Sequence, residues 1–441
     1  MASFPAHTTA QVDEKLTRAR AAFVHYRNTS SGSRAAWLNQ AADLLDTRSE
    51  KYGRVLAHEM GKTLASAIAE VQKCAAGCRY FAEHAAAMLA ETPVAMPTGR
   101  AVVQYQPLGV VLAIMPWNFP FWQVFRFAAP TLMAGNVAVL KHAPNVPQCA
   151  IALDEIFLEA GFPAGVFQSL LLENDQAAQV IADPRISAIT LTGSTRAGSA
   201  VAQQAGSLLK KTVLELGGSD PFLVLPSADL DAAVAAAVKS RTLNNGQSCI
   251  AAKRFIIHED VYEAFEPRFV AAMRALKVGD PMNAATDIGP LVSAAARDNL
   301  ARQVEEAITA GARILTGAHA LPGKGFFFEP TVLADLPTTA PVYREEFFGP
   351  VALLFRASSL DAAIALANNT SYGLGATVFT RNIEEQEHCI AEIETGQVFI
   401  NEIVASDPRL PFGGVKQSGY GRELATEGIR EFTNIKTVRW A

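Results

Sequence analysis

Ala188-Ile189-Thr190-Leu191-Thr192, then Gly193-Ser194-Thr195-Arg196-Ala197-Gly198 leading a helical run to Ser207, then Thr212-Val213-Leu214-Glu215-Leu216 read as strand, turn, helix and strand. The outer pieces are short, apolar and β-branched, and the middle opens on Gly and Ser and continues Ala-rich. Strand, helix, strand at this length is the signature of a parallel sheet with helices on both faces. Upstream the pattern continues as strand Asn136–Leu140, helix Gln148–Ala160, strand Val166–Leu172 and helix Asp175–Ala182. A β-rich stretch, Ala101–Met115, is broken at Pro107 and Gly109. The first ninety residues are helical, with apolar residues at three- and four-residue spacing through Ala35–Leu45 and Leu64–Leu89, until Thr92, Pro93 and Pro97 stop them. Downstream a second α/β series begins at Pro221 and runs to about Ile400.

The chain has 441 residues, 18% of them charged and 50% hydrophobic, which excludes a disordered, collagen-like or coiled-coil protein. Single cores stop growing at roughly 250–300 residues, so two large lobes enclosing a cleft are expected. A net charge of −5 without blocks of like charge argues against a nucleic-acid partner. Met1–Gln11 lacks a basic residue followed by an apolar run, and no later stretch reaches the roughly 18 apolar residues of a membrane span. A soluble cytoplasmic protein is expected. Phe119–Leu140, interrupted by Gln123, Arg126, Pro130 and Asn136, suits a buried pocket wall. The five scattered cysteines fit a reducing compartment, and Cys74 and Cys78 fit one buried helix face, so no metal site is expected.

Four places carry chemistry. Asn244-Asn245-Gly246 stops the helical run Ala228–Thr242, so the following Gln247-Ser248-Cys249 presents a thiol on a loop. Glu215 stands in an apolar strand end before Gly217-Gly218, where burial suits it to general-base work or where it pairs with a Lys. Gly193–Gly198 follows a strand and opens a helix, the geometry that binds an anion at exposed N–H groups, and Lys141 follows the strand Val137–Leu140. Pro116-Trp117-Asn118-Phe119-Pro120 fixes an amide between two prolines and two aromatics, either to donate to a developing oxyanion or to bond its own turn. Six residues on, Arg126 lies among Trp122, Phe125 and Phe127, where a cation needs an anionic ligand or a structural salt bridge with an acidic residue.

Taken together, PWNFP, GSTRAG, LELGG, GQSC, Glu346-Phe347-Phe348-Gly349-Pro350 and Pro411–Gly419 closely resemble the aldehyde dehydrogenase superfamily in order and spacing over nearly the whole chain. Leu140–Val146 and Cys249–Phe255 make it similar to one branch, the short bacterial succinate-semialdehyde dehydrogenases.

The resemblance implies two Rossmann-like parallel-sheet lobes and a small β oligomerisation element. Residues 1–98 and 111–217 would form an NAD(P)-binding domain, 218–409 a catalytic domain, and 99–110 with 425–441 the element that makes a homodimer or homotetramer. It implies oxidation of succinate semialdehyde to succinate, as in 4-aminobutyrate degradation, or of another aldehyde such as glutarate semialdehyde or an aliphatic one. Cys249 would be the nucleophile, Asn118 with the Cys249 N–H the oxyanion donors, and Glu215 the base that deprotonates the deacylating water. Cofactor contacts would come from Trp117, Lys141, Pro144, Gly193, Ser194, Leu216, Glu346 and Phe348. Arg126, assisted by Ser406, would bind the substrate carboxylate; the family's second Arg, six residues before the Cys, is here Leu243, and Arg241 stands eight before it. Many NAD-preferring relatives carry a Glu at the position of Pro144. Its absence removes the repulsion of a 2′-phosphate, so NADP is favoured over NAD, with Lys141 and His142 as phosphate neighbours.

Overall fold

Two parallel sheets meet at a crevice in the computed structural model, which describes residues 4–441. The first has six strands in the order Gly419–Tyr420, Lys211–Glu215, Ile186–Thr192, Val110–Met115, Val137–His142 and Phe167–Ser169. All neighbours run parallel except Gly419–Tyr420, which is antiparallel to Lys211–Glu215. Its central strand, VVLAIM, is almost continuously apolar because helices cover both faces, and Leu112 sits between Val139 and Ile189. The second sheet has seven strands, Arg313–Thr316, Thr331–Ala334, Val351–Ala357, Arg254–His258, Pro221–Val224, Ala376–Phe379 and Val398–Ile400, with Arg313–Thr316 antiparallel.

The chain passes from the first sheet to the second between Glu215 and Pro221. Gly217 and Gly218 lie in that crossover, and a Cβ on Gly218 would stand 2.7 Å from the Cys249 carbonyl oxygen. The glycines therefore let the nucleophile loop press against the crossover.

The N-terminal ninety residues form four helices, Thr9–Tyr26, Ser31–Thr47, Ser49–Met60 and Leu64–Met88, whose apolar faces join the core of the first sheet. The pocket wall expected at 119–140 is largely a helix, Trp122–Met133, with every residue buried. Gln123, Arg126 and Thr131 are buried along with its apolar residues, so no solvated face marks the helix, and Pro130 inside it further masks it in the sequence. Thr92–Val94, expected only to stop a helix, is an edge strand antiparallel to Ala101–Val103, because the prolines nearby are tolerated at a sheet edge. With Arg100–Pro107 and Thr433–Trp440 it makes a third, antiparallel sheet. No helix among the described residues is long and apolar enough to cross a membrane.

Candidate active site

The helix Leu230–Thr242 starts at Asp229, whose side chain accepts from Ala232 N at 3.1 Å, and ends where Asn244, Asn245 and Gly246 take φ of 58°, 59° and 75°. Asn and Gly are the residues that enter this left-handed region most easily, so the turn expected from Asn-Asn-Gly forms. Both Asn side chains then tie the loop down. Asn245 Nδ2 donates to the carbonyls of Gly61 (2.9 Å) and Pro290 (3.1 Å), and its Oδ1 accepts from Gly289 N (2.9 Å). Asn244 Nδ2 donates to the carbonyls of Asn118 (2.7 Å) and Gln247 (3.0 Å). Arg241, which lies outside the tunnel described below, donates from Nη2 to Gly246 O at 2.7 Å and so supports this turn.

Lys253 completes the loop's support. Its buried Nζ donates to the carbonyls of Ser248 and Cys249, each at 2.7 Å, and pairs with Glu346 Oε1 at 3.1 Å. Cys249 is partly exposed at the loop's end. Burial of the thiol pushes its pKa up to about 12, against the pull of Lys253 and Arg126, so it is protonated at rest.

Asn118 is buried, and its Nδ2 donates to Gln247 O at 3.1 Å, which leaves the second amide hydrogen for another acceptor. The turn that carries it is held by His142. The carbonyl of Pro120 accepts from His142 Nε2 at 2.9 Å, and Nδ1 stands 2.9 Å from Ala143 N and 3.3 Å from Met115 O. Burial lowers its pKa to about 4. His142 is thus a prop beneath the Pro116–Pro120 turn, with both ring nitrogens engaged by backbone groups.

Glu215 ends its strand opposite Gly419. Burial holds its carboxyl well above the usual carboxylate range, with Arg126 pulling the other way, and neither oxygen has a hydrogen-bond partner among the described residues. Gly413, at φ 157°, passes so close that a Cβ there would stand 2.7 Å from Glu215 Oε1.

Two cavities reach Cys249, and of their lining residues they share only Gln123 besides Cys249 itself. The first is a tunnel of about 210 Å³, walled by Phe119, Trp122, Leu243, Ile250, Val404 and Phe412, with Arg126, Ser406 and Lys73 as its polar groups besides Ser66, Glu70, Gln123 and Ser248. Arg126 forms a buried ion pair with Glu423, its guanidinium lies over the Phe412 ring at 4.3 Å, and Nη2 donates to Thr192 Oγ1 at 3.5 Å. The acidic partner weighed for Arg126 in the sequence is therefore present. Ser406, expected beside Arg126, instead accepts from Lys73 Nζ (2.9 Å) and Trp122 Nε1 (2.8 Å).

The second cavity, about 290 Å³, lies over the carboxyl ends of the first sheet's strands and is lined by Trp117, Asn118, Gly193, Ser194, Leu216 and Glu346, among others including Phe348. Trp117 and Phe348 meet edge to face at 5.9 Å. Ser194 caps the helix Thr195–Ser207 by accepting from Ala197 N at 3.3 Å, so the first N–H groups of that helix open beside the crevice. A Cβ on Gly198 would stand 2.5 Å from Leu216 Cδ2, which explains why the last Gly of GSTRAG is needed for the helix to lie on the strand end. Gly217 likewise keeps the floor bare, since a Cβ there would stand 2.6 Å from Glu346 Oε2. Lys141 is buried at the end of its strand and Pro144 is exposed just beyond it. Neither Lys141 nor Pro144 lines this cavity, whose bare glycine floor and helix N-terminus suit a dinucleotide with its phosphates.

Sequence reading missed Lys73, Lys253 and Glu423. Lys253 stood inside a quoted motif with no role attached. Lys73 sits in an Ala-rich helix and Glu423 in a late loop, neither within a recognisable pattern.

The aldehyde dehydrogenase family model matches residues 1–438. The chain is similar to succinate-semialdehyde dehydrogenase (NADP+) 1 of Mycobacterium tuberculosis, 54% identical over 439 residues that cover 99% of this chain and 96% of the relative. It is 53% identical over 436 residues to a probable succinate-semialdehyde dehydrogenase (NADP+) of Synechocystis sp., covering 99% and 96%. A solved structure of succinic semialdehyde dehydrogenase from Streptococcus pyogenes in complex with NADP+ superimposes with a TM-score of 0.97 at 40% identity, covering 99% of this chain and 96% of that one. The family match takes in both parallel sheets and nearly all of the antiparallel one, and the chain belongs to the aldehyde dehydrogenase family.

Proposed function

We propose that this enzyme oxidises succinate semialdehyde to succinate with NADP+. The observation that carries the reading is the position of Cys249 where an apolar tunnel with buried cations meets a crevice suited to a dinucleotide. The tunnel takes the aldehyde. Lys141, Ser194, Glu346 and Phe348 would hold NADP+, which when bound would supply the hydride acceptor. Whole-chain likeness to relatives named for this substrate and cofactor supports both assignments.

Cys249 Sγ attacks the aldehyde carbonyl, and the new oxyanion is held by the second Asn118 amide hydrogen and the Cys249 N–H. Lys253 and Arg126 both favour the thiolate, so they assist loss of the thiol proton to water as Sγ attacks. Once the thioester has formed, Glu215 takes a proton from water, the hydroxide attacks the acyl carbon, and the C–S bond breaks to release the carboxylate and restore Cys249. The raised pKa makes the ionised form of Glu215 a stronger base towards water, and neither of its oxygens is tied up by another donor among the described residues.

Pro144 in place of an acidic side chain supports acceptance of the 2′-phosphate, with Lys141 nearby in sequence as its counter-charge. The antiparallel sheet, with Trp440 and Ile435 exposed, supports assembly into a homodimer or homotetramer through residues 99–110 and 425–441. We assign residues 1–98 and 111–217 to cofactor binding and 218–409 to catalysis, and place the enzyme in the cytoplasm, in 4-aminobutyrate degradation. Steady-state kinetics on a panel of succinate semialdehyde, glutarate semialdehyde and butanal with each cofactor tests the reading. The highest kcat/KM is expected for succinate semialdehyde with NADP+.

A further inference from the structure

A semialdehyde needs a cation at the far end of its tunnel, and the tunnel's charged groups differ in how they are already engaged. Arg126 is committed to Glu423 in a pair from which solvent is excluded, and it also faces Glu215. Glu70 accepts from the N–H groups of Phe121 and Trp122, each at 2.9 Å, and pairs with the buried Lys62. Leu243 fills the position six residues before Cys249 with an apolar side chain on the same tunnel. Lys73 differs from all of these. It reaches the tunnel from the helix Leu64–Met88, lies 4.4 Å from the centre of the Trp122 ring, donates to Ser406, and has no carboxylate within ion-pair distance among the described residues.

Ser406 completes the arrangement. Its oxygen already accepts from Lys73 and from Trp122, so its own hydrogen is directed to a further acceptor. An ammonium and a hydroxyl donor, side by side against the Trp122 ring, make a site for one carboxylate.

The geometry points to Lys73, with Ser406, as the group that binds the distal carboxylate of the substrate, while Arg126 is held by Glu423. Lys73 is thereby a specificity-determining residue of this enzyme. Burial has already lowered the Lys73 pKa to about 8, so the ammonium is poorly solvated before substrate arrives and gains from an incoming anion. This inference rests on a carboxylate-bearing aldehyde as substrate.

The test compares wild type, Lys73→Met and Lys73→Arg on succinate semialdehyde and on butanal, which has a methyl where the carboxylate would be. Lys73→Met is expected to raise KM for succinate semialdehyde by about tenfold or more with kcat changed far less, and to alter butanal kinetics little by comparison. Lys73→Arg is expected to recover much of the loss. Succinate binding, followed by calorimetry, is expected to weaken in parallel. If Lys73→Met is poorly folded, Lys73→Gln removes the charge while keeping a donor for Ser406. A wild type that prefers butanal would overturn the substrate reading itself. A wild type that prefers succinate semialdehyde, with that preference intact in Lys73→Met and Lys73→Gln, would overturn the assignment of Lys73 alone.

Discussion

Arg126 and Glu423 form an ion pair in which the two side chains are 3% and 4% exposed. Removing one partner of such a pair strands a charge in the interior, which typically costs about 3–5 kcal/mol. Glu423→Gln and Arg126→Ala are both expected to lower Tm strongly. Arg126→Ala is also expected to reduce kcat/KM for charged and uncharged aldehydes alike, because Arg126 acts on Cys249 and Glu215 as well as on the tunnel. A loss confined to succinate semialdehyde would instead make Arg126 the carboxylate ligand.

Glu215→Gln separates the two halves of the reaction. Acylation precedes the step that needs the base, so the variant is expected to give a burst of about one NADPH per site followed by turnover slowed by about 10²–10⁴-fold. Rapid-mixing absorbance at the nicotinamide band reads both phases.

The same residue makes a stability prediction. With its folded pKa raised above the unfolded value of about 4.5, Glu215 keeps its proton on folding. Its contribution is therefore present at low pH and is lost as pH rises towards and through the folded pKa. Glu215→Gln removes that dependence, so its Tm relative to wild type is expected to rise steadily from pH 5 upward.

Lys73 gives a pH dependence of substrate binding. The groups acting on it are Arg126 from the helix Trp122–Met133, which disfavours its charge, and Cys74, Glu70 and Asp407, which favour it. With a pKa of about 8 in the free enzyme, the ammonium is lost above that pH. KM for succinate semialdehyde is expected to climb above pH 8 while KM for butanal does not, and Lys73→Arg is expected to flatten the climb.

Pro144→Glu restores a carboxylate near the expected position of the ribose. It is expected to lower kcat/KM for NADP+ by about tenfold, equivalent to about 1.4 kcal/mol, and to spare NAD+. Equal loss with both cofactors would place residue 144 away from the 2′-phosphate.

Local chemistry was legible in the sequence, and long-range pairing was not. Asn244-Asn245-Gly246 announces its own turn, because the left-handed conformation selects Asn and Gly, and that turn delivers Cys249. Alternating strands and helices likewise announced the parallel sheets. The partner of Arg126 could not be read, since Glu423 approaches only through the late segment that adds Gly419–Tyr420 to the first sheet. Lys73 was hidden for a different reason: on an Ala-rich helix a lone lysine has the pattern of a solvated face. The helix Trp122–Met133 was hidden because it is buried on every side, polar Gln123 and Arg126 included, and carries a proline inside it.

The most direct measurement is kcat/KM for succinate semialdehyde and for butanal, each with saturating NADP+. A preference of at least about tenfold for succinate semialdehyde, abolished by Cys249→Ser together with all turnover, is the expected result. Equal or better turnover of butanal, or activity surviving in Cys249→Ser, would contradict a thiol-based semialdehyde dehydrogenase.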